Sequence, residues 1–237
     1  MINENETKNF SGWWAILFIF LTFNIAPIPF ALSIGLLGDW VYQNPITVNM
    51  TYMGDINMHP IADNLTTILS MTFIILFVLW RMQKRNIPFS DLGSLDIRKK
   101  DVLFGTIFLA LFIALEELYM WVLEIEMPEG FIEFMLSEPL ILGLISVVII
   151  APIAEEFIFR GFLFSQLQNT RLGPWGAITL SSLLWTVIHF QYEFKILLVL
   201  FVFGLFLGYV RMAYQSLSLP IILHAINNLF AFVMAYF

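Results

Sequence analysis

The sequence predicts an all-α protein that crosses a membrane several times, as a bundle of about seven (six to eight) helices. Of its 237 residues, 59% are hydrophobic and only 12% are charged, whereas roughly 25% of the residues in a soluble domain are charged. The hydrophobic residues fall into long runs separated by polar or proline-containing segments, and one bilayer crossing needs ~20 apolar residues. The composition therefore excludes a soluble enzyme and leaves no room for a sizeable soluble domain.

Each apolar run predicts one helix. The predicted helices lie near residues 13–37, 61–80, 102–125, 139–167, 175–192, 195–212 and 219–236. The apolar core of a signal peptide has only ~7–15 residues. The first run has 25 residues, so we interpret it as a retained membrane helix that Pro27 and Pro29 kink. The other prolines fall at breaks or helix starts, where proline is tolerated.

Lysine and arginine predict the orientation, because cytoplasmic loops are enriched in these residues. With a cytoplasmic N terminus, the inner side holds segments 1–12, 81–101, 168–174 and 211–218, together with the inner end of the fourth helix. These contain ten of the eleven basic residues, and Lys195 is the exception. The net charge of −7 gives no indication of a nucleic-acid partner. The apolar runs make the lipid bilayer the expected surroundings. The absence of cysteine excludes a thiol nucleophile and thiolate metal ligands.

Ionisable residues inside the predicted helices are the main indication of function, since each costs ~2.5–3.5 kcal/mol at the bilayer centre. In the segment APIAEEFIFRGF (151–162), Glu156 and Arg160 are four residues apart and can pair on one helix face. Glu155 is turned away by about 100°. The less well paired Glu155 is a candidate general base. The alternative is a structural ion-pair cluster that locks helices together.

Two further polar pairs occur at the same spacing. Trp185 and His189 share a predicted helix face, although a lone histidine among apolar residues is more often a packing residue. His224 and Asn228 also share a face. They could donate two hydrogen bonds to a developing oxyanion, or hydrogen-bond between helices. Together with the glutamates, these groups supply a base, a second proton carrier and an oxyanion site, as water-driven peptide hydrolysis requires.

These motifs, in this order, resemble the CPBP family of intramembrane glutamic proteases. Its patterns EExxxR, aromatic-xxx-His and HxxxN are present here as 155–160, 185–189 and 224–228. The resemblance covers about residues 139–237, the expected catalytic core. Residues 1–138 are expected to form N-terminal membrane helices without a family signature, within a single membrane domain. The family's second motif usually begins with phenylalanine. We expect the tryptophan found here to alter the shape of the pocket at most.

The resemblance implies an endopeptidase that needs neither metal nor cofactor. Glu155 and His189 would activate the attacking water, His224 and Asn228 would stabilise the oxyanion, and Glu156, with the arginine one turn later, would hold the site together. The family includes CAAX prenyl endopeptidases and bacterial Abi-type proteins linked to bacteriocin processing and immunity. It therefore implies a peptide or protein substrate at a bacterial cytoplasmic membrane. No residue pattern decides whether that substrate is prenylated, and the oligomeric state is equally open.

Other classes of protein fit the sequence less well. A metal site built from Glu155, Glu156, His189 and His224 is chemically possible. A non-catalytic membrane scaffold, or an immunity or regulatory protein, could share the fold. A small transporter is disfavoured because the two halves of the chain show no repeated pair of broken helices. A second acidic pair, Glu116-Glu117, has no basic residue four positions later, and we place it outside the active site.

The expected depths of the site residues agree only in part. Counted from the inner turn, Glu155 and His189 each lie about 21 Å into the membrane, at 1.5 Å per residue. His224 follows soon after Pro220, close to the predicted start of the last helix. It would therefore lie at a shallower level unless the inner segment 211–219 dips into the bilayer.

Overall fold

Seven helices form the bundle in the part of the chain that the structure, a computed structural model, describes: residues 25–42, 49–50, 56–57, 60–127, 132 and 140–236. They are α1 (Pro27–Tyr42), α2 (Pro60–Lys84), α3 (Lys99–Val122), α4 (Leu140–Leu167), α5 (Gly173–Val187), α6 (Phe194–Tyr214) and α7 (Ser218–Tyr236). Between α1 and α2, the two-residue strands β1 (Asn49–Met50) and β2 (Ile56–Asn57) pair antiparallel. The predicted all-α class is confirmed.

Five of these helices are long and apolar enough to cross a membrane: α2 from Asp63, α3, α4, α6 and α7. Helices α1 and α5 have 16 and 15 residues, which corresponds to about 22–24 Å of helix against a hydrocarbon core of about 30 Å. The protein is therefore a multi-pass membrane protein, with five helices of spanning length rather than seven in the part described.

The predicted first helix, 13–37, is described only from residue 25 onward; residues 13–24 lie outside the described part. Helix α1 begins at Pro27, directly after a turn residue, Ala26. The turn thus falls directly before the two prolines for which a kink is predicted, because proline is tolerated in the first turn of a helix but not in its interior.

Helix α4 is the most deeply buried of the five spans, and its hydrogen bonding is irregular. Two π-helical stretches, Leu144–Ile150 and Phe157–Leu163, flank the α-helical segment Ala151–Glu156. π-Helical turns are rare and occur frequently at functional sites. The glutamate pair therefore lies on a short, regular segment between two widened turns.

Helix α5 ends earlier than the apolar run predicts, at Val187 rather than near residue 192. The backbone N–H of His189 donates to the carbonyl of Thr186, at 3.0 Å, three residues back. Such shorter-range bonds commonly close the last turn of a helix, where the carbonyls have no further α-helical partner. His189 therefore lies in the turn between α5 and α6.

The segment between α6 and α7 reaches into the bundle and pairs with the loop before α3. The Ser94 N–H donates to the Gln215 carbonyl, and the Leu217 N–H donates to the Ser94 carbonyl, both at 2.9 Å. The Leu217 side chain faces Gly161, where an added Cβ would lie 3.4 Å from it. Gly161 precedes the end of α4 by six residues, or about 9 Å along the helix. The inner segment thus dips toward the bundle centre, as His224 requires.

Arg211, on α6, stabilises the contact between the loop before α3 and the segment between α6 and α7. Its Nε donates to the carbonyls of Leu92 and Arg160, each at 3.1 Å, and the residue is 2% exposed. Gly93 adopts a φ of 112°, and an added Cβ there would lie 2.7 Å from the guanidinium carbon of Arg211. The pairing places the basic segments 81–101 and 211–218 at one end of the bundle, as predicted. That this end is cytoplasmic stays a prediction.

Candidate active site

A buried charge cluster joins α4 to α6 and α7. Arg160 and Glu156 are fully buried and His224 is 4% exposed. Arg160 Nη1 donates to Glu156 Oε1 at 2.9 Å, and His224 Nδ1 lies 2.9 Å from the same oxygen. Arg160 Nη2 donates to the Gly204 carbonyl at 3.1 Å. Helices α4, α6 and α7 therefore meet at the Glu156–Arg160 pair.

Glu155 lies beside Glu156 in the sequence but has different surroundings. Its Oε2 accepts a hydrogen bond of 2.5 Å from Nε1 of Trp185 on α5. Within the described part of the chain it forms no ion pair, and the residue is only 6% exposed. One of two adjacent carboxylates is thus fixed between Arg160 and the His224 ring, while the other is held by a neutral donor.

His189 has a defined tautomer in its neutral form. Its Nδ1 lies 2.8 Å from the Trp185 carbonyl oxygen. A carbonyl oxygen can only accept, so Nδ1 carries the proton. The lone pair of neutral His189 is therefore on Nε2, which can accept a proton from water. The ring is half-buried, with its centroid 4.9 Å from that of the Trp185 ring.

The indole of Trp185 lies at the centre of the candidate site. The Arg160 guanidinium carbon is 5.0 Å from the ring centroid. The His224 ring meets the indole edge to face, with centroids 5.5 Å apart. Through these contacts the structure brings together five of the six predicted site residues: Glu155, Glu156, Arg160, His189 and His224.

The sixth predicted residue, Asn228, contacts the backbone of α4. Its Nδ2 donates to the Val147 carbonyl at 2.9 Å. In the π-helical register of this stretch, the Ala151 N–H donates to the Ser146 carbonyl, five residues back. In the same register, the donor to the Val147 carbonyl would be the backbone N–H of the next residue, Pro152, but proline has no N–H. Asn228 therefore satisfies a carbonyl that proline leaves without its helical donor. The second N–H of the amide is not needed for this bond.

The proposed role of the Asn228 amide, as a donor that replaces the missing N–H of Pro152, can be tested by restoring that N–H. We expect Asn228→Ala to lower the free energy of unfolding by about 1–3 kcal/mol, since it leaves a buried carbonyl unsatisfied. In a Pro152→Ala background, which restores a backbone N–H, the same change should cost much less. Thermal and denaturant unfolding in detergent would measure both. An equal loss of stability in the two backgrounds would contradict the proline-based explanation.

Tyr192 is a neighbour of the site that the sequence did not reveal. Its ring stacks on His189, with centroids 6.2 Å apart and planes 14° apart. Burial raises the pKa of Tyr192 to about 12, and the charge of Glu155 acts in the same direction. Tyr192 is therefore a neutral phenol near pH 7. Its position three residues after His189 was the available signal, but the helix was predicted to continue through this segment.

The second acidic pair belongs to a different region. Glu117, on α3, lines a pocket formed by residues of the 117–126 segment, none of which is a predicted site residue.

Across the described residues, no three histidine, aspartate or glutamate side chains are grouped as metal binding requires.

The fold and the buried cluster define a multi-pass membrane protein with an ionisable centre, and comparison with known proteins identifies the family it resembles. Residues 137–230 match the family described as type II CAAX prenyl endopeptidase Rce1-like. This span contains all six predicted site residues. The family resemblance read from the motifs is therefore confirmed.

One curated relative is similar over part of its length. It is an uncharacterized 24.3 kDa protein of Escherichia coli, 34% identical over 86 residues, or 35% of this chain. The alignment covers 40% of the relative, so the chain spans about two fifths of the length of the curated protein it matches. No solved structure matches the chain.

Proposed function

We propose that the protein is an intramembrane endopeptidase in which Glu155 and His189 activate the water that hydrolyses a peptide bond. The observation that carries the proposal is the contrast between the adjacent glutamates. Glu156 is bound by Arg160 and His224, whereas Glu155 has one neutral donor. A general base needs an available carboxylate beside a fixed framework, and divergent surroundings of neighbouring acids are typical of acid–base sites.

In the proposed reaction the water gives its proton to the Glu155 carboxylate or to His189 Nε2 as its oxygen attacks the scissile carbonyl carbon. The resulting tetrahedral intermediate carries its negative charge on the former carbonyl oxygen. When its C–N bond breaks, the protonated base returns a proton to the leaving amine, so protons and charge balance. His189 is suited to this exchange, because its Nδ1 already donates to the Trp185 carbonyl and Nε2 is left to accept the proton.

The oxyanion would be stabilised from α7. When both ring nitrogens of His224 carry protons, Nδ1 donates to Glu156 and Nε2 can donate to the oxyanion. The second N–H of Asn228 is the other candidate donor. Removal of one oxyanion donor typically reduces kcat by about 10²–10³-fold, and the Asn228 and Pro152 double variant separates this from stability. If Asn228 has the proposed role, Pro152→Ala restores the stability of Asn228→Ala but not its activity.

The proposed substrate is a peptide or protein at the membrane, and the proposed mechanism uses neither metal nor cofactor. The carboxylate cluster of the site lies on membrane-spanning helices, where α4, α6 and α7 meet, which supports a substrate segment that enters from the bilayer or its surface. We propose a bacterial cytoplasmic membrane with the N terminus inside. Two substrates are candidates: a prenylated CAAX peptide, which requires a lipidating host, and a small bacteriocin or pheromone leader peptide.

The test compares cells that produce the wild type, Glu155→Ala or Glu117→Ala, by mass spectrometry of membrane-associated peptide termini. We expect new termini with the wild type and with Glu117→Ala, a matched change of a membrane glutamate outside the cluster. Glu155→Ala should give none while retaining the wild-type unfolding midpoint to within a few degrees. Identical termini in all three cells, with the deletion phenotype rescued by each protein, would overturn the proposal in favour of a scaffold or immunity protein.

A further inference from the structure

We propose that Trp185 is a positioning residue that fixes the Glu155 carboxylate through its indole N–H. The inference rests on the proposed function and adds to it a residue that the catalytic chemistry does not itself require. The bond between Nε1 and Oε2 measures 2.5 Å and connects α5 to α4 across 30 positions of sequence. Both residues are buried, at 2% and 6% exposure.

The indole N–H can only donate, which determines what it does to the carboxylate. The oxygen that accepts this bond, Oε2, cannot carry a proton toward Trp185. Oε1, which the indole does not contact, is thus the less restricted oxygen for a water molecule. A buried carboxylate without a partner would be costly. Because Trp185 supplies a donor, Glu155 does not need to turn toward Arg160, whose Nη1 already donates to Glu156.

The indole is itself held in one orientation. The Arg160 guanidinium lies over one face of its ring, 5.0 Å from the centroid. The rings of His224 and Phe203 meet it at 90° and 58°, with centroids 5.5 and 6.1 Å away. A planar donor fixed by several neighbours can orient its acceptor with little loss of conformational entropy on binding.

Trp185 also orients the second proposed base, but through its backbone. Its carbonyl accepts from Nδ1 of His189, at 2.8 Å. One residue therefore positions Glu155 with its side chain and His189 with its main chain. A change of the side chain removes the first effect and leaves the second in place. Phenylalanine at this position would keep an aromatic ring but could not make the bond to Glu155, so the tryptophan has a role beyond the shape of the pocket.

The structural part of the inference is tested without any substrate, by a double-mutant cycle in thermal unfolding in detergent. Trp185→Phe should lower the unfolding midpoint of the wild type, because the Glu155 carboxylate loses its donor. In Glu155→Ala, the same change removes an indole N–H that has already lost its acceptor, so the midpoint should stay the same or rise. Equal shifts in both backgrounds would overturn the inference. Trp175→Phe, at a 64% exposed tryptophan, is the control.

The functional part is tested by kinetics on the cleaved peptide. For Trp185→Phe we expect kcat to fall about 10- to 100-fold, the effect of losing a hydrogen bond to a charged group, with KM unchanged. Benzothienylalanine at position 185 keeps the bicyclic shape and lacks only the N–H, so it should reproduce the loss of kcat if Phe disturbs packing. Wild-type kcat in both variants would overturn the positioning role. Absence of cleavage by the wild type would instead overturn the proposed function and leave the unfolding cycle valid.

Discussion

Replacement of Arg160 by alanine is expected to lower the free energy of unfolding by about 3–5 kcal/mol, the usual consequence of removing one partner of a buried ion pair. The side chain of Arg160 is fully buried, and so is that of its partner Glu156. Without it, Glu156 keeps, among the described residues, only the bond to His224, and the Gly204 carbonyl loses the bond that links it to α4. The variant therefore leaves a buried carboxylate without its cation where three helices meet.

The measurement is thermal and denaturant unfolding in detergent, with Arg98→Ala as the control. Arg98 also pairs with a carboxylate, that of Asp101, but its side chain is 65% exposed. Exposed pairs contribute about 0–1 kcal/mol, so the control should barely change. If Arg160→Ala unfolded at the wild-type midpoint, the Glu156–Arg160 pair would not support the bundle. Cleavage should fall as well, because Arg160 also packs on the Trp185 ring.

The part of the site that could be predicted from sequence is the part set by a single helix. The four-residue spacing of Glu156 and Arg160 places them on one face, and the structure has the hydrogen bond at 2.9 Å. The different surroundings of Glu155 follow from the same helical period. These relations depend on local geometry alone and need no knowledge of how the helices pack.

Relations between helices could not be predicted in this way. The bond from Trp185 to Glu155 depends on how α5 packs against α4. The depth of His224 depends on contacts between segments 94–95 and 216–218, which are more than 120 positions apart in the chain. The pairing of Asn228 with Val147 depends on a π-helical register that no residue spacing indicates. Each is a tertiary outcome, and the sequence supplied only the polar residues that take part.

The helices also separate into features that depend on one segment and features that depend on packing. Apolar runs located every long helix in the described part, because hydrophobicity and length are properties of the segment itself. They overestimated α5, which ends at Val187, since the apolar character of the sequence continues past the last helical hydrogen bond. Consequently the apolar run predicts His189 on a helix face, whereas it lies in the turn that follows α5.

That position leads to the second large effect. His189→Ala is expected to reduce cleavage by about 10²–10⁴-fold, the contribution of a general acid–base group, with little change in stability. Among the described residues, the half-buried imidazole hydrogen-bonds only to a carbonyl of the preceding turn, and its ring contacts Trp185 and Tyr192. Its removal leaves no buried charge behind.

His224→Ala provides the matched comparison, because it changes the other histidine of the cluster. His224 is buried and bonds to Glu156, so its removal should lower both the unfolding midpoint and the cleavage rate. Kinetics on the cleaved peptide and unfolding in detergent, measured on both variants, separate the two roles. If His189→Ala cleaved at the wild-type rate, the proton would have to go to Glu155 alone. If it instead lost stability as His224→Ala does, His189 would be a structural residue of the α5–α6 turn.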